Sequence, residues 1–240
     1  MTVFLTSSPC VIGADRAILN PDNNFLENLR EVMPDHPQCL IICSDPDDHD
    51  STDNFGNDMS DAFEEVDMEF GDLAILDGRN PEEAEELIAE ADLIILCGGH
   101  VPTQNAFFHE IGLRDLLADY DGIVMGISAG SMNCADRVYA QPEAPGESEP
   151  EFERFLEGLG LTELNILPHY QQVKDYELDG LRLFEDVTYA DSMGECFFAL
   201  VDGSYIMEAE GQTVLFGEAY CLEDGVMEQI SELDEAVIFE

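Results

Sequence analysis

Five short runs with continuously apolar centres, TVFLTS at 2–7, CLIICS at 39–44, DLAIL at 72–76, DLIILC at 92–97 and GIVMGI at 122–127, alternate with longer segments of helical periodicity. A strand wetted on one side alternates apolar and polar residues, so runs without alternation belong to a sheet covered on both faces. Helices expected near 21–33, 57–67 and 81–90 supply that cover, and the order βαβαβαβ followed by a fifth strand specifies an α/β fold with a doubly wound, mostly parallel sheet. Asn20 caps the first helix and Pro21 occupies its first turn. After residue 127 come an acidic, proline-containing stretch at 141–150 and helices expected near 151–158 and 176–185. CFFALVDGSYIMEAEGQTVLFG then reads as a C-terminal β-meander turning at Asp202-Gly203 and Glu210-Gly211. No Pro/Gly/Ser-rich linker divides the chain, so residues 1–240 are expected to form a single domain.

The 240 residues carry 8 basic and 54 acidic side chains, a formal charge of −46. Phosphate binding draws on clustered Lys and Arg, and the eight here are scattered from Arg16 to Arg182, which excludes most nucleic-acid partners. An anionic membrane surface would repel the chain as well. A disordered acidic chain is poor in apolar and aromatic residues, whereas this one is 45% hydrophobic and 9% aromatic, so it folds. The opening MTVFLTSSPC has no positively charged leader, and no apolar run approaches the roughly 18 residues of a membrane helix, so a cytoplasmic location is expected. The acidity reads as a solvated, self-repelling surface; the single lysine, Lys174, also fits a high-salt source.

Seven cysteines is an odd number, and Cys39, Cys43 and Cys97 lie in or beside apolar runs, as reduced thiols do. Cys39 and Cys43 form CxxxC without the second pair a zinc site needs. DPDDHDSTDN at 45–54 resembles a calcium loop but has Asp50 where the turn glycine belongs and Gly56 where the bidentate glutamate belongs, so it is read as a solvated loop. Neither a metal nor a cofactor is expected.

The stretch GIVMGISAGSMN carries the chemistry. A buried strand ends in Gly126-Ile127-Ser128-Ala129-Gly130 and a small-residue helix start follows, the pattern of a nucleophile elbow. A serine on so tight a turn needs very small neighbours two positions away, and Gly126 and Gly130 supply them. A second glycine pair, Gly98-Gly99, follows the strand DLIILC and falls at the same carboxyl-end crevice. Acyl transfer needs two N–H donors at the carbonyl oxygen, and the natural pair is Gly99 with Ala129, the residue after the nucleophile.

A serine nucleophile also needs a base. His169, in NILPHY, is the only histidine after Ser128 and stands at a strand end behind a proline. His36 and His49 sit in polar, acidic loops, and His100, beside the glycine pair, is the competitor.

LIILCGG followed by a helix, then GISAGSMN, then LPHY, then ALVDGSYIMEAEG resembles the peptidase E and cyanophycinase family over nearly the whole chain. The resemblance implies a serine hydrolase on a flavodoxin-like, class I glutamine amidotransferase-like fold, with Ser128 as nucleophile, His169 as base and the N–H groups near Gly99 and Ala129 as oxyanion hole. True glutaminases carry cysteine at the elbow, whereas this chain carries serine. The third member is open. The family's acid-glycine pair after the strand that follows the histidine helix, usually Glu-Gly, corresponds to Asp202-Gly203, and a carboxylate assigned between serine and histidine falls among Glu143, Glu147 and Glu149; Asp202 is favoured and Glu143 is the alternative. The implied substrates are small peptides, dipeptides with N-terminal aspartate above all, or the aspartyl-arginine polymer cyanophycin. Arg182, where the family tends to carry an arginine, is the first candidate to bind the aspartyl carboxylate, against a role neutralising Asp179, Glu185 and Asp186. Two other readings stand beside this one, a catalytically silent relative that binds a ligand or partner and an α/β-hydrolase-type esterase. The oligomeric state is left open, a homodimer included.

Overall fold

The computed structural model describes residues 1–11 and 16–239. Its five apolar runs are β1 (Thr2–Thr6), β2 (Gln38–Ile42), β3 (Asp72–Leu76), β4 (Leu93–Leu96) and β5 (Ile123–Ile127), paired in parallel in the order β3-β2-β4-β5-β1. Successive strand side chains point to opposite faces, and both faces are dry. Leu40 and Ile42 enter one core with Leu5, Leu96 and Val124, while Cys39 and Ile41 enter the other with Phe4, Ile95 and Met125. Helices α1 (Phe25–Val32) and α2 (His49–Glu64) cover the second core through Phe25, Leu29, Met59 and Phe63. Helices α3 (Ala84–Glu90), α4 (Val101–Glu110) and α5 (Leu113–Leu117) cover the first through Ile88, Phe107, Phe108 and Leu117. Each fully buried side chain of this size contributes roughly 1.5–3 kcal/mol.

Before α1 the chain makes a 3₁₀ turn at Asp22–Asn24, and Asn20 Oδ1 accepts the Asp22 N–H at 3.0 Å, close to the cap expected there. Helix α2 begins eight residues before its expected start and absorbs the second half of the acidic stretch read as a loop. Asp48 is its N-cap, accepting the Ser51 N–H at 3.2 Å, and Asp50 lies in its first turn, where negative charge is favourable.

The second half of the chain adds α6 (Ala129–Met132), β6 (Arg137–Tyr139), β7 (Phe155–Glu157), β8 (Asn165–Leu167), α7 (Tyr170–Val173), β9 (Glu177–Leu178), β10 (Leu181–Arg182) and α8 (Tyr189–Asp191). It closes with β11 (Cys196–Leu200), β12 (Tyr205–Ala209), β13 (Gln212–Phe216), β14 (Ala219–Glu223), β15 (Val226–Ser231) and β16 (Ala236–Phe239). Strands β12, β13 and β16 extend the central sheet antiparallel beyond β1, giving eight strands in the order β16-β13-β12-β1-β5-β4-β2-β3. A second sheet, β15-β14-β11-β8, packs its Ile166, Phe197 and Ala199 into the first core.

Three expectations are corrected here. The helix near 151–158 is instead β7, paired with β6, because Phe155 packs on Tyr139 with ring centroids 5.3 Å apart and lies under the Arg137 guanidinium at 4.0 Å. The helix near 176–185 is the hairpin β9–β10 followed by a π-helical turn, Leu183–Thr188, since Asp179 and Gly180 both take positive φ, 54° and 82°, as a two-residue primed turn requires. The meander holds at Glu210-Gly211, which joins β12 to β13, but Asp202-Gly203 is no hairpin: there the chain leaves the second sheet after β11 and enters the central sheet as β12. Among the described residues no helix is long and apolar enough to cross a membrane.

Candidate active site

All five parallel strands end at one edge of the sheet, which brings Ser7, Ser44, Gly98 and Ser128 to the same rim. Ser128, at the end of β5, has φ 52° and ψ −112°, a strained conformation for a residue with a side chain. Its glycine neighbours are sterically obligatory: a Cβ at Gly126 would stand 2.5 Å from Ser131 Cα, and one at Gly130 would stand 2.3 Å from the Leu96 carbonyl oxygen. The turn therefore packs into its own helix start and into β4, leaving the Ser128 side chain at the rim.

His169 reaches Ser128 from the second sheet. Pro168 follows β8, and His169 then takes φ 58° and ψ 29° as the residue before α7. Its Nε2 lies 2.9 Å from Ser128 Oγ and its Nδ1 lies 2.6 Å from Asp202 Oδ1. An ionised carboxylate only accepts, so the imidazole proton sits on Nδ1 and Nε2 is free to accept from the serine hydroxyl. Strands β8 and β11 are parallel neighbours, Leu167 beside Ala199, so their carboxyl ends deliver His169 and Asp202 to each other.

Asp202 is almost wholly enclosed, with 3% of its side chain exposed. Burial pushes its carboxyl up, but hydrogen bonds outweigh burial and hold it below the usual aspartate range: first that with His169, then that with Ser7, and a weaker one from Gln171. The Ser7 hydroxyl donates to Oδ1 at 2.7 Å and accepts the His169 N–H at 2.7 Å, while Gln171 and Gln172, at 2.7 Å for the latter, donate to Oδ2. Ser7, Gln171 and Gln172 escape a search for reactive residue types. Their signals are positional: Ser7 follows β1, the parallel neighbour of β5, and the glutamines follow His169 directly.

The other candidates fall as follows. Gly98 abuts the elbow, a Cβ on it standing 3.3 Å from Ser128 Cβ, and among the described residues no acceptor pairs with the N–H of Gly99 or of Ala129. The competitor His100 is engaged elsewhere, its Nδ1 2.8 Å from Thr103 Oγ1 and its Nε2 2.8 Å from Glu147 Oε1. Glu147 also accepts the N–H groups of Glu143 and Ala144 at 2.8 and 2.9 Å, which closes the 143–147 loop. Of the acids weighed for the third position, Asp202 is the one bonded to His169; Glu143, Glu147 and Glu149 are not. Arg182 is not brought to this group: its guanidinium is exposed and held by Asp186 through bonds of 2.7 and 3.0 Å, which drive the Asp186 carboxyl down to about 2.

A cavity of about 220 Å³ opens beside Gly98, lined by Ser44, Asp48, Ser51, Thr52, Phe55 and Cys97. A larger cavity, about 680 Å³, is lined by Thr2, Asp92, Gly122 and Ile123 at the amino ends of the strands, the opposite edge from Ser128. Among the described residues no group of three or more His, Cys, Asp or Glu side chains converges as a metal ion requires.

Comparison with known proteins agrees with this architecture. A peptidase from an acI-B1 Actinobacterium has a similar fold, with 17% identity and a TM-score of 0.63 over 99% of this chain and 96% of that one. A candidate peptidase E protein from Listeria monocytogenes EGD-e is similar at 14% identity and a TM-score of 0.56, covering 96% of this chain and 98% of that one. No curated protein matches the chain by sequence. The sequence profile of peptidase family S51 matches residues 36–214, a span that holds the glycine pair, the elbow, the histidine and the buried aspartate. A chain matched over that span belongs to peptidase family S51.

Proposed function

We propose that the protein is a serine peptidase of small peptides in which Ser128 is the nucleophile, His169 the general base and Asp202 the residue that orients and stabilises the imidazole. The observation that carries this reading is the unbroken chain Ser128 Oγ, His169 Nε2, His169 Nδ1, Asp202 Oδ1, with links of 2.9 and 2.6 Å. As Oγ attacks the scissile carbonyl carbon, its proton passes to Nε2 and the carbonyl oxygen takes up negative charge. The free N–H groups of Gly99 and Ala129 receive that oxygen. The imidazolium next protonates the leaving amine, leaving an acyl-serine ester that water hydrolyses with His169 again as base.

The test is covalent. A fluorophosphonate is expected to label the folded protein at one site per chain, at Ser128, and Ser128→Ala is expected to remove both the label and the hydrolytic rate, the latter by about 10⁴–10⁶-fold. Failure of the folded wild type to react would overturn the reading and leave a ligand-binding relative in its place.

Dipeptides with N-terminal aspartate are the first substrate class to examine. One observation favours a second class, aspartyl peptides that carry arginine. Arg16, Arg79, Arg114, Arg137, Arg154 and Arg182 are each ion-paired within the protein, and Arg30 donates to the Val66 carbonyl. An acidic substrate thus meets few uncommitted cations, whereas the cavity beside Gly98 offers the Asp48 carboxylate and three hydroxyl-bearing side chains. A panel of Asp-X, β-aspartyl, Ala-X and arginine-bearing aspartyl peptides separates the classes. For the arginine-bearing class kcat/KM is expected to fall steeply with added salt, because the attraction is long-range and screened.

A further inference from the structure

Two of the seven cysteines stand apart from the rest. Cys39, Cys43, Cys97 and Cys134 are buried in the cores, and Cys10 is half-buried in the β1–α1 connection. Cys196 and Cys221, on the neighbouring antiparallel strands β11 and β14, are half-buried and face each other, with Sγ atoms 3.2 Å apart. The register pairs Cys196 with Glu223 and Phe198 with Cys221, so the two form a diagonal across one face of the ladder.

We propose that Cys196 and Cys221 are a redox-active dithiol that closes reversibly to an intramolecular disulfide. Sulfurs already in contact need to approach by only about 1.2 Å to reach the bonded separation of roughly 2.05 Å. Diagonal neighbours lie about 7–8 Å apart at Cα, just beyond the roughly 6.8 Å that a disulfide usually spans, so closure draws β11 and β14 together and yields a strained bond that reductants reopen. Burial, and then the hydrogen bond to Cys221, push the Cys196 thiol up to about 12, which keeps it protonated at neutral pH. Attack by the Cys196 sulfur therefore becomes faster as pH rises.

With a hydroperoxide as oxidant the step balances as two thiols plus ROOH giving the disulfide, ROH and water. One sulfur is first oxidised to a sulfenic acid by the peroxide, and the second thiol then attacks that sulfur and displaces hydroxide, which leaves as water. A soluble disulfide such as oxidised glutathione does the same by exchange, two glutathione thiols leaving. Cys196 opens β11, six residues before Asp202, and Cys221 stands in the middle of β14, so neither sulfur belongs to the proposed hydrolytic machinery.

Treating the folded protein with hydrogen peroxide or oxidised glutathione, then alkylating and mapping peptides, tests this independently of any peptidase activity. The expected result is a loss of 2 Da, a Cys196–Cys221 linked peptide and two fewer alkylatable thiols, all reversed by dithiothreitol. Cys196→Ser is expected to lose the linked peptide and to carry instead a glutathione adduct on Cys221. Full alkylation of both cysteines after oxidation, or linkage of either one to a different cysteine, would overturn the proposal.

Discussion

Asp202 is the residue on which the site's geometry converges, receiving His169, Ser7, Gln171 and Gln172 at its two oxygens. Asp202→Asn keeps the shape, but an amide presents a donor as well as an acceptor to Nδ1, and the imidazole no longer has a fixed tautomer. The hydrolytic rate is expected to fall by about 10³–10⁴-fold with little change in KM. The same residue carries a pH signature. Its carboxyl titrates below its unfolded value, so the stability it supplies is fully present above the ordinary aspartate pKa of about 3.9 and is lost as pH falls through the lowered native value. The difference in unfolding free energy between wild type and Asp202→Asn is therefore expected to be constant at neutral pH and to shrink only below about pH 4, as denaturant melts at a series of pH values will show.

At the scale of elements, α2 owes its early start to one side chain. Asp48 holds the Ser51 N–H, and Asp48→Ala is expected to cost about 1 kcal/mol, read as a lower denaturant midpoint at unchanged m-value. That helix was legible in principle, since Phe55, Met59, Ala62 and Phe63 recur at helical spacing behind Asp48, but six polar residues directly after Asp48 read as a solvated loop. The parallel strands were plain because burial on both faces writes itself as uninterrupted Val, Ile and Leu. The strand-end positions of Gly99, Ser128, Ala129 and His169 were equally plain, since local sequence ties each to the end of an apolar run. What sequence hid was long-range. EFERFLEG has a helical charge pattern, and only pairing of β7 with β6 makes it a strand. Asp179-Gly180 carried a hairpin signal that the surrounding acidic, helix-like residues masked. Asp202 was ambiguous among many acids because its contact with His169 depends on β11 and β12 belonging to different sheets, a fact no local pattern encodes.

For the molecule as a whole the dominant quantity is charge. A net −46 on one compact chain works against folding through self-repulsion, and six of the seven arginines are already ion-paired. Raising salt towards about 1 M, where the screening length falls to roughly 3 Å, is expected to raise Tm, in contrast to a protein of balanced charge held together by surface ion pairs. A fall in Tm across the same range would show that the ion pairs, not the repulsion, dominate. The crossing of the chain from β11 to β12 at Asp202 has a consequence for how this protein fails. Ser128 is anchored in one sheet and His169 in the other, with Asp202 on the thread between them, so the proposed catalytic group is assembled only while the two sheets stay docked. Slight parting of the layers is expected to break the proposed relay before any strand melts. On gentle heating or in mild denaturant, turnover is expected to vanish ahead of the far-ultraviolet circular dichroism signal, which makes hydrolysis a gauge of layer docking in this protein and not of its secondary structure.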